Sequence, residues 1–234
     1  MKANIIKIVS ILVAFQATSF LTLNNPKVFA TFRAVKMCLY SDTTLFTTGF
    51  TAFTSLFENP PLEGINPYRG TQDGIVKLNS KPLFFNQTIK MYMDSVVRNN
   101  LDTVNWKITN SADFNGLNYT TTKPIPNFSN IKCIPNKLCK NNDYVMNFGN
   151  VAGVDKIEFT IDNGQLFTAF PFYRKVPSNI GCITIPKLHL ACLNVNNPTF
   201  VKVTFINEEG VIFGNKKYIF ENRLEIRKQI TLTN

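Results

Sequence analysis

Apolar and polar positions alternate with a period of two along most of this chain, the pattern of strands that bury one face. In "TIKMYMDSV" Ile89, Met91 and Met93 share a side, and after "RNNLD" the segment "TVNWKIT" continues with Val104, Trp106 and Ile108. The pair predicts a hairpin. "KIEFTIDNGQLFTAF" is sharper: Ile157, Phe159 and Ile161 alternate, Asn163-Gly164 supplies the positive φ of a two-residue type I′ turn, and Leu166, Thr168 and Phe170 form the returning strand. Near the C-terminus "TFVKVTFI" predicts a strand, "NEEG" a turn, "VIF" a return, "GNKK" a second turn into "YIF", and "LEIRKQITL" a last strand.

Turn signals every 8 to 12 residues or so, with no amphipathic helix, predict an all-β fold of antiparallel β-sandwich type. The segment 121–143 is rich in Pro and Asn and does not alternate, so it reads as a connector. It divides an N-terminal β domain, 31–120, from a C-terminal half, 144–234, whose strand density is that of an immunoglobulin-like sandwich. The stretch "SDTTLFTTGFTAFTSLFENPPLEGINPYRG" in the N-terminal half reads as long and irregular. A single larger sandwich with one cross-over loop is the alternative arrangement.

The first thirty residues change the picture. Lys2 and Lys7 precede a compact apolar run from Ile8 to Phe15, Asn24, Asn25 and Pro26 break any helix, and Val28-Phe29-Ala30 places small or modest side chains where a signal peptidase inspects them. This grammar predicts a cleavable secretory signal over 1–30 and a mature chain from Thr31. The run is interrupted by Gln16, Thr18 and Ser19, short of the roughly 20 apolar residues that span a bilayer. No second run of spanning length follows, so stable membrane insertion after cleavage is not expected, and the compartment is extracellular or periplasmic.

Cleavage there removes three lysines and no acid, taking the net charge from +10 to +7. Basic residues cluster at Lys132, Lys137 and Lys140 and again at Lys216, Lys217, Arg223, Arg227 and Lys228. The second group alternates with Tyr218, Phe220, Glu221 and Glu225. Acids dilute that field and export removes intracellular targets, so the reading is a solvated strand face rather than a nucleic-acid site. Attraction to anionic surfaces or glycans stays open.

An exported chain with five cysteines is expected to pair them. Cys133 and Cys139 flank the loop "IPNKL", and Cys182 and Cys192 flank "ITIPKLHLA", where Pro186-Lys187 turns one short strand onto another. These are the expected disulfides, with Cys38 left over and buried.

Catalytic chemistry finds little purchase. His189 is the single histidine and reads as a strand residue between Leu188 and Leu190, so sites that need two histidines are excluded. No G-x-S-x-G elbow, P-loop or dinucleotide fingerprint is present. No catalytic residue, metal site or cofactor is assigned. Asn86, Asn118 and Asn127 head N-x-[ST] triplets, acceptors for N-glycans in a eukaryotic host. Aromatics on loops of a β scaffold are the remaining handle for a partner: Tyr68 and Arg69 in "NPYRG", Trp106, and Tyr119. For Trp106 core packing is the competing assignment. The expected function is binding of a surface glycan or a protein partner, as an adhesin-like or secreted-effector module without nucleic acid. The rivals are a secreted hydrolase using carboxylates such as Asp42, Glu58, Glu63 and Asp73, and a subunit of a surface assembly completed by a neighbour's strand.

Overall fold

The computed structural model describes residues 28–41, 44–57, 70–94, 101, 103–114, 116–127, 134–148, 151, 153–162, 172–177, 181–191, 193–214 and 216–234. Strands dominate them, and the fold is all-β. The principal sheet contains β1 (Val28–Ser41), β2 (Thr44–Leu56), β5 (Phe84–Asn86), β6 (Met91–Met93), β11 (Lys156–Asp162), β12 (Phe172–Pro177), β14 (Thr199–Phe213) and β15 (Lys216–Thr233). Their order is β12-β11-β14-β15-β1-β2-β6-β5, and a short strand, β9 (Lys137–Cys139), joins the end of β15. Neighbours run antiparallel except β1 and β9, which each lie parallel to β15. The sheet therefore takes strands from both sides of the segment 121–143.

Two smaller sheets cover one face of it. The first, β4-β3-β7-β8, is built from β3 (Ile75–Leu78), β4 (Lys81–Pro82), β7 (Asn105–Thr109) and β8 (Asn118–Thr120). It buries Val76, Leu78, Trp106 and Ile108 against Ala30, Phe32, Ala52, Leu56 and Phe220 of the principal sheet. Trp106 is fully buried, with its ring 5.1 Å from that of Phe32, which stacks in turn on Phe220 at 4.8 Å. Burying a large aromatic or aliphatic side chain of this kind contributes roughly 1.5–3 kcal/mol. The second cover is β10 (Tyr144–Asn147) paired with β13 (Cys182–Ile185), followed by a short helix, α1 (Lys187–Ala191). Met146, Phe148, Ile183, Ile185 and Leu190 pack there on Ile157, Phe159, Val203, Phe205, Leu224 and Ile226.

Along β15 the even-numbered positions from Tyr218 to Leu232 are all buried, yet they do not make one continuous core. Tyr218 and Phe220 belong to the cluster around Trp106, and Leu224 and Ile226 to the other. Asn222 lies between them, directly across from Asn207 of β14. Its amide Nδ2 donates to Thr121 Oγ1 (2.8 Å) and to the Lys123 carbonyl (2.6 Å), while Asn207 Nδ2 donates to the Pro124 carbonyl (2.8 Å). The stretch 121–124 is thus laid across the sheet as a polar seam between the two apolar clusters. Glu209 holds the same stretch from the next inward position of β14, accepting Lys123 N (2.6 Å), Thr122 N (3.1 Å) and Thr122 Oγ1 (3.1 Å). Lys123 Nζ continues to Asp155 (2.6 Å) and the Glu208 carbonyl (3.1 Å).

Several sequence expectations are corrected. β6 and β7 do not form a hairpin with each other: β6 pairs with β2 and β5, and β7 with β3 and β8. β11 does pair with the strand that follows, in the register Ile161↔Phe172 with β12 at Phe172–Pro177; the turn expected at Asn163-Gly164 and the return expected over Leu166–Phe170 lie outside the described residues. "NEEG" is not a turn but part of the unbroken β14, because Asn207 and Glu209 find partners on the seam and Glu208 an ion pair with Lys156 (2.5 Å). The expected "GNKK" turn is present, with Gly214 at φ +62° and Phe213 opposite Lys216.

The start of the supposedly irregular N-terminal stretch is a 13-residue strand, β2. Its alternation is broken by a bulge. Met37 pairs with Gly49 and Cys38 with Thr47, so Thr48 is the extra residue, and Gly49 takes φ +143°. Leu45 and Thr47 face the core side before the bulge, and Phe50, Ala52, Thr54 and Leu56 after it.

Replacing Asn222 by Ala leaves the Lys123 carbonyl without its 2.6 Å donor in a buried seam. An unsatisfied buried acceptor costs about 1–3 kcal/mol. For a chain of this length that lowers the melting temperature by roughly 2–10 °C, which thermal unfolding followed by circular dichroism measures.

Candidate functional site

The aromatic residues named from sequence come to different ends. Trp106 is fully buried, so it packs the core and presents no face to a ligand. Tyr119 is half-buried: its ring lies 4.4 Å from that of Phe220, and its hydroxyl donates to Glu209 Oε2 at 2.6 Å. Tyr68 and Arg69 lie outside the described residues. The chain just beyond them, Gly70 to Gln72, lines a shallow concavity of about 430 Å³ with Phe85, Gln87 and Lys90. Gln87 there donates to Gln72 (2.9 Å) and accepts from Lys90 (3.1 Å).

Other expectations resolve into structure. "KLHLA" is helix α1 rather than a strand, started by Pro186 and by Asp143 Oδ1, which accepts the Lys187 amide (2.7 Å); His189 is exposed on it and Leu190 buried. Pro186-Lys187 therefore opens a helix instead of turning a strand. Cys139 and Cys182 carry free thiols, Cys139 with its Sγ 3.5 Å from the Asn234 carbonyl. Their expected partners, Cys133 and Cys192, lie outside the described residues. Cys38 is buried, with Sγ 3.7 Å from Thr47 Oγ1. Asp73, one of the hydrolase candidates, is a loop anchor. It accepts from Ser111 Oγ (2.5 Å), Ala112 N (3.1 Å) and Asp113 N (3.2 Å). Asp42, Glu58 and Glu63 lie outside the described residues. Among the described residues no group of three or more His, Cys, Asp or Glu could hold a metal ion.

The larger concavity, about 540 Å³, opens where β1 and β15 end and β14 begins. Parallel pairing sets Leu39 beside Arg227 and Tyr40 beside Lys228, and antiparallel pairing sets Phe200 beside Gln229. Strand alternation then sends successive cations to opposite faces of the sheet edge. Arg227 lies over the Phe200 ring, its guanidinium carbon 4.1 Å from the centroid. The Lys228 ammonium stands 4.5 Å from the Tyr40 centroid and donates to the Ile134 carbonyl at 2.8 Å, deeply buried. Each cation is thereby held by an aromatic ring.

β9 brings the other basic cluster to the same end. Its Lys137 pairs with Thr231, and the Thr231 amide donates to Asn136 at 2.9 Å. No carboxylate is among the described residues that line the concavity. Sequence reading named Arg227, Lys228 and Lys137 only as members of two separate clusters. Phe200, Tyr40 and Asn136 are not among the candidates, since only the β14–β15, β1–β15 and β9–β15 pairings unite them.

Two further bases of the second cluster, Lys216 and Arg223, are used internally. Lys216 lies near the Phe29 and Phe114 rings (5.2 and 4.9 Å) and donates to the Asp113 carbonyl (2.6 Å). On the face away from the core, Arg33 pairs with Glu221 (2.7 Å) and Arg223 with Glu158. Glu221 is only 5% exposed, so this face carries an ion-pair network in place of the expected solvated row.

The Tyr119–Glu209 contact sets two titrations. Burial of Tyr119, and then its bond to the Glu209 carboxylate, push the phenol up from 10.0 to about 12. Burial alone opposes ionisation of Glu209, but the donors from Tyr119, Lys123 and Thr122 together overcome it and lower its pKa below the usual 4.5. A raised phenol keeps its stabilisation below pH about 10 and loses it as pH climbs towards about 12. A lowered carboxylate keeps its stabilisation above about 4.5 and loses it as pH falls through the folded value. Melting temperature measured from pH 3 to 12 is expected to fall at both ends. Tyr119→Phe flattens the alkaline limb and Glu209→Gln the acid limb.

Comparison with family models, with curated proteins and with solved structures finds no match for this chain.

Proposed function

We propose that this chain is an exported, non-enzymatic β-sandwich protein, adhesin-like or a secreted effector, that binds acidic glycans of a cell surface at the concavity between the ends of β1, β14 and β15. In this reading the C-terminal half is an immunoglobulin-like scaffold, and export closes Cys133–Cys139 and Cys182–Cys192 as disulfides.

The observation that carries the reading is the pairing of each cation with a ring, Arg227 on Phe200 and Lys228 on Tyr40, at a hollow whose described lining is otherwise apolar or uncharged. A guanidinium matches a carboxylate or sulfate with two parallel donors. Because the ring already restrains the Arg227 side chain, less rotamer freedom is lost when a ligand docks. The neighbouring amides of Gln229 and Asn136 and the hydroxyl of Thr231 suit the hydroxyl groups of a sugar.

The test is retention on sulfated or sialylated glycans and on their neutral counterparts, at low and at moderate salt. Selective retention of the acidic forms is expected to persist at moderate salt. Arg227→Ala and Phe200→Ala are each expected to weaken it about tenfold, equivalent to about 1.4 kcal/mol, while Lys107→Ala on the exposed side of β7 leaves it unchanged. Equal losses from all three variants would reduce the effect to general charge, and turnover of any glycan would favour the hydrolase.

A further inference from the structure

The shallow concavity beside Phe85 shares no lining residue with the hollow at the ends of β1, β14 and β15, and the reading above leaves it without a role. Its backbone is held on both sides. Gly70 N donates to the Lys90 carbonyl (2.9 Å), and Thr71 N donates to the Leu56 carbonyl (2.8 Å). A Cβ at position 70 would stand 2.8 and 2.9 Å from those same two oxygens, so glycine is what lets the chain lie this close to the end of β2. Across the hollow, the turn after β5 is tied by Asn86 Oδ1, which accepts the amides of Thr88 (2.9 Å) and Ile89 (3.2 Å). The half-buried Phe85 ring is seated edge-on against Tyr92, with centroids 5.0 Å apart.

Hydrogen bonds along the rim fix which way its polar groups face. An ammonium only donates, so the Gln87 oxygen is the atom that meets Lys90 Nζ at 3.1 Å. Gln87 Nε2 is thereby turned to the Gln72 oxygen, at 2.9 Å. The Gln72 Nε2 hydrogens are then left without a partner among the described residues, and Gln87 Nε2 and the Lys90 ammonium each keep hydrogens to spare. Gln72, Gln87 and Lys90 are all exposed. The hollow thus sets a row of spare donors beside a half-buried ring, on a backbone that has little freedom left to lose when a ligand docks.

We propose that this concavity is a second binding site, for a neutral N-acetylated sugar, with the acetamido carbonyl on the Gln72 and Gln87 amides and the acetyl methyl on the Phe85 ring. An acetamido group joins one strong acceptor to one apolar methyl, and the hollow joins spare donors to one ring. A sugar bearing hydroxyls alone has no methyl to place on Phe85. A carboxylate would find Lys90 as the single cation of the described lining, exposed to water, where an ion pair contributes little. A volume of about 430 Å³ lies within the usual range of small-molecule sites. Its shallow form suits a sugar ring lying flat, whereas an acetylated lysine side chain calls for a narrow slot. The site is independent of the acidic-glycan reading and stands whether or not that reading holds.

The test is saturation-transfer NMR and titration calorimetry of the full chain with a trisaccharide of N-acetylglucosamine and with the matching trisaccharide of glucose. Saturable binding of the N-acetylated form alone is expected, with the strongest transfer to the acetyl methyl. Gln72→Glu, a change on an exposed side chain, replaces the spare donors by an acceptor and is expected to weaken binding about tenfold. Phe85→Ala is expected to weaken it at least as much and Phe85→Tyr to preserve it, while Lys107→Ala on β7 leaves it unchanged. Equal binding of the glucose form, or no binding of either, overturns the proposal. So does wild-type affinity in both Gln72→Glu and Phe85→Ala, and so does binding of an acetyl-lysine peptide where the sugar fails to bind.

Discussion

Two asparagines facing each other across β14 and β15 decide how the rest of the molecule is arranged. A continuous sheet face of this length, if apolar throughout, would make one elongated core. Asn207 and Asn222 interrupt it, and their Nδ2 groups find acceptors in the Pro124 and Lys123 carbonyls and the Thr121 hydroxyl, which cross the sheet at that level, while Asn222 Oδ1 is buried with no hydrogen-bond partner. Buried amides without such partners would be strongly unfavourable. The crossing chain is therefore fixed in place, the covering sheet β4-β3-β7-β8 is confined to one side of it, and β10-β13 with α1 to the other. Glu209 extends the constraint by collecting two amides, a hydroxyl and a phenol on one carboxylate. The first four residues of what reads in sequence as a linker are held across the sheet by Asn207, Glu209 and Asn222.

The fold class was legible because period-two alternation survives in β7, β11, the first half of β14 and much of β15, and because Gly214 marks a tight turn. Pairing was not legible, since strands with the same alternation can join any partner. Met91 and Trp106 lie on neighbouring alternating segments yet enter different sheets. Two local devices also hid strands. The Thr48–Gly49 bulge reverses the parity of β2, so no single alternation runs through it. Asn207, Glu208 and Glu209 carry turn-forming composition through the middle of β14, where tertiary partners override local preference.

The concavity was legible only in pieces. Arg227 and Lys228 stood out as charge, but their meeting with Tyr40 and Asn136 depends on two parallel pairings with β15, one of them linking the first long strand to the last. Parallel neighbours leave no hairpin signature in sequence. Conversely, Trp106 and Tyr119 drew attention as aromatics, and both are used up in packing. Phe200 and Tyr40, near the ends of their strands, each lie against a cation instead.

The seating of β1 beside β15 also sets a timetable. Phe32 stacks on Phe220, and Ala30 lies against Tyr218, so the apolar cluster formed mainly by the N-terminal half lacks part of its floor until the last twenty or so residues are available. Contacts of such sequence separation are entropically slow to close. A chain emerging from the ribosome thus cannot complete its first core early. It acquires its resistance to unfolding only once β15 has joined β1.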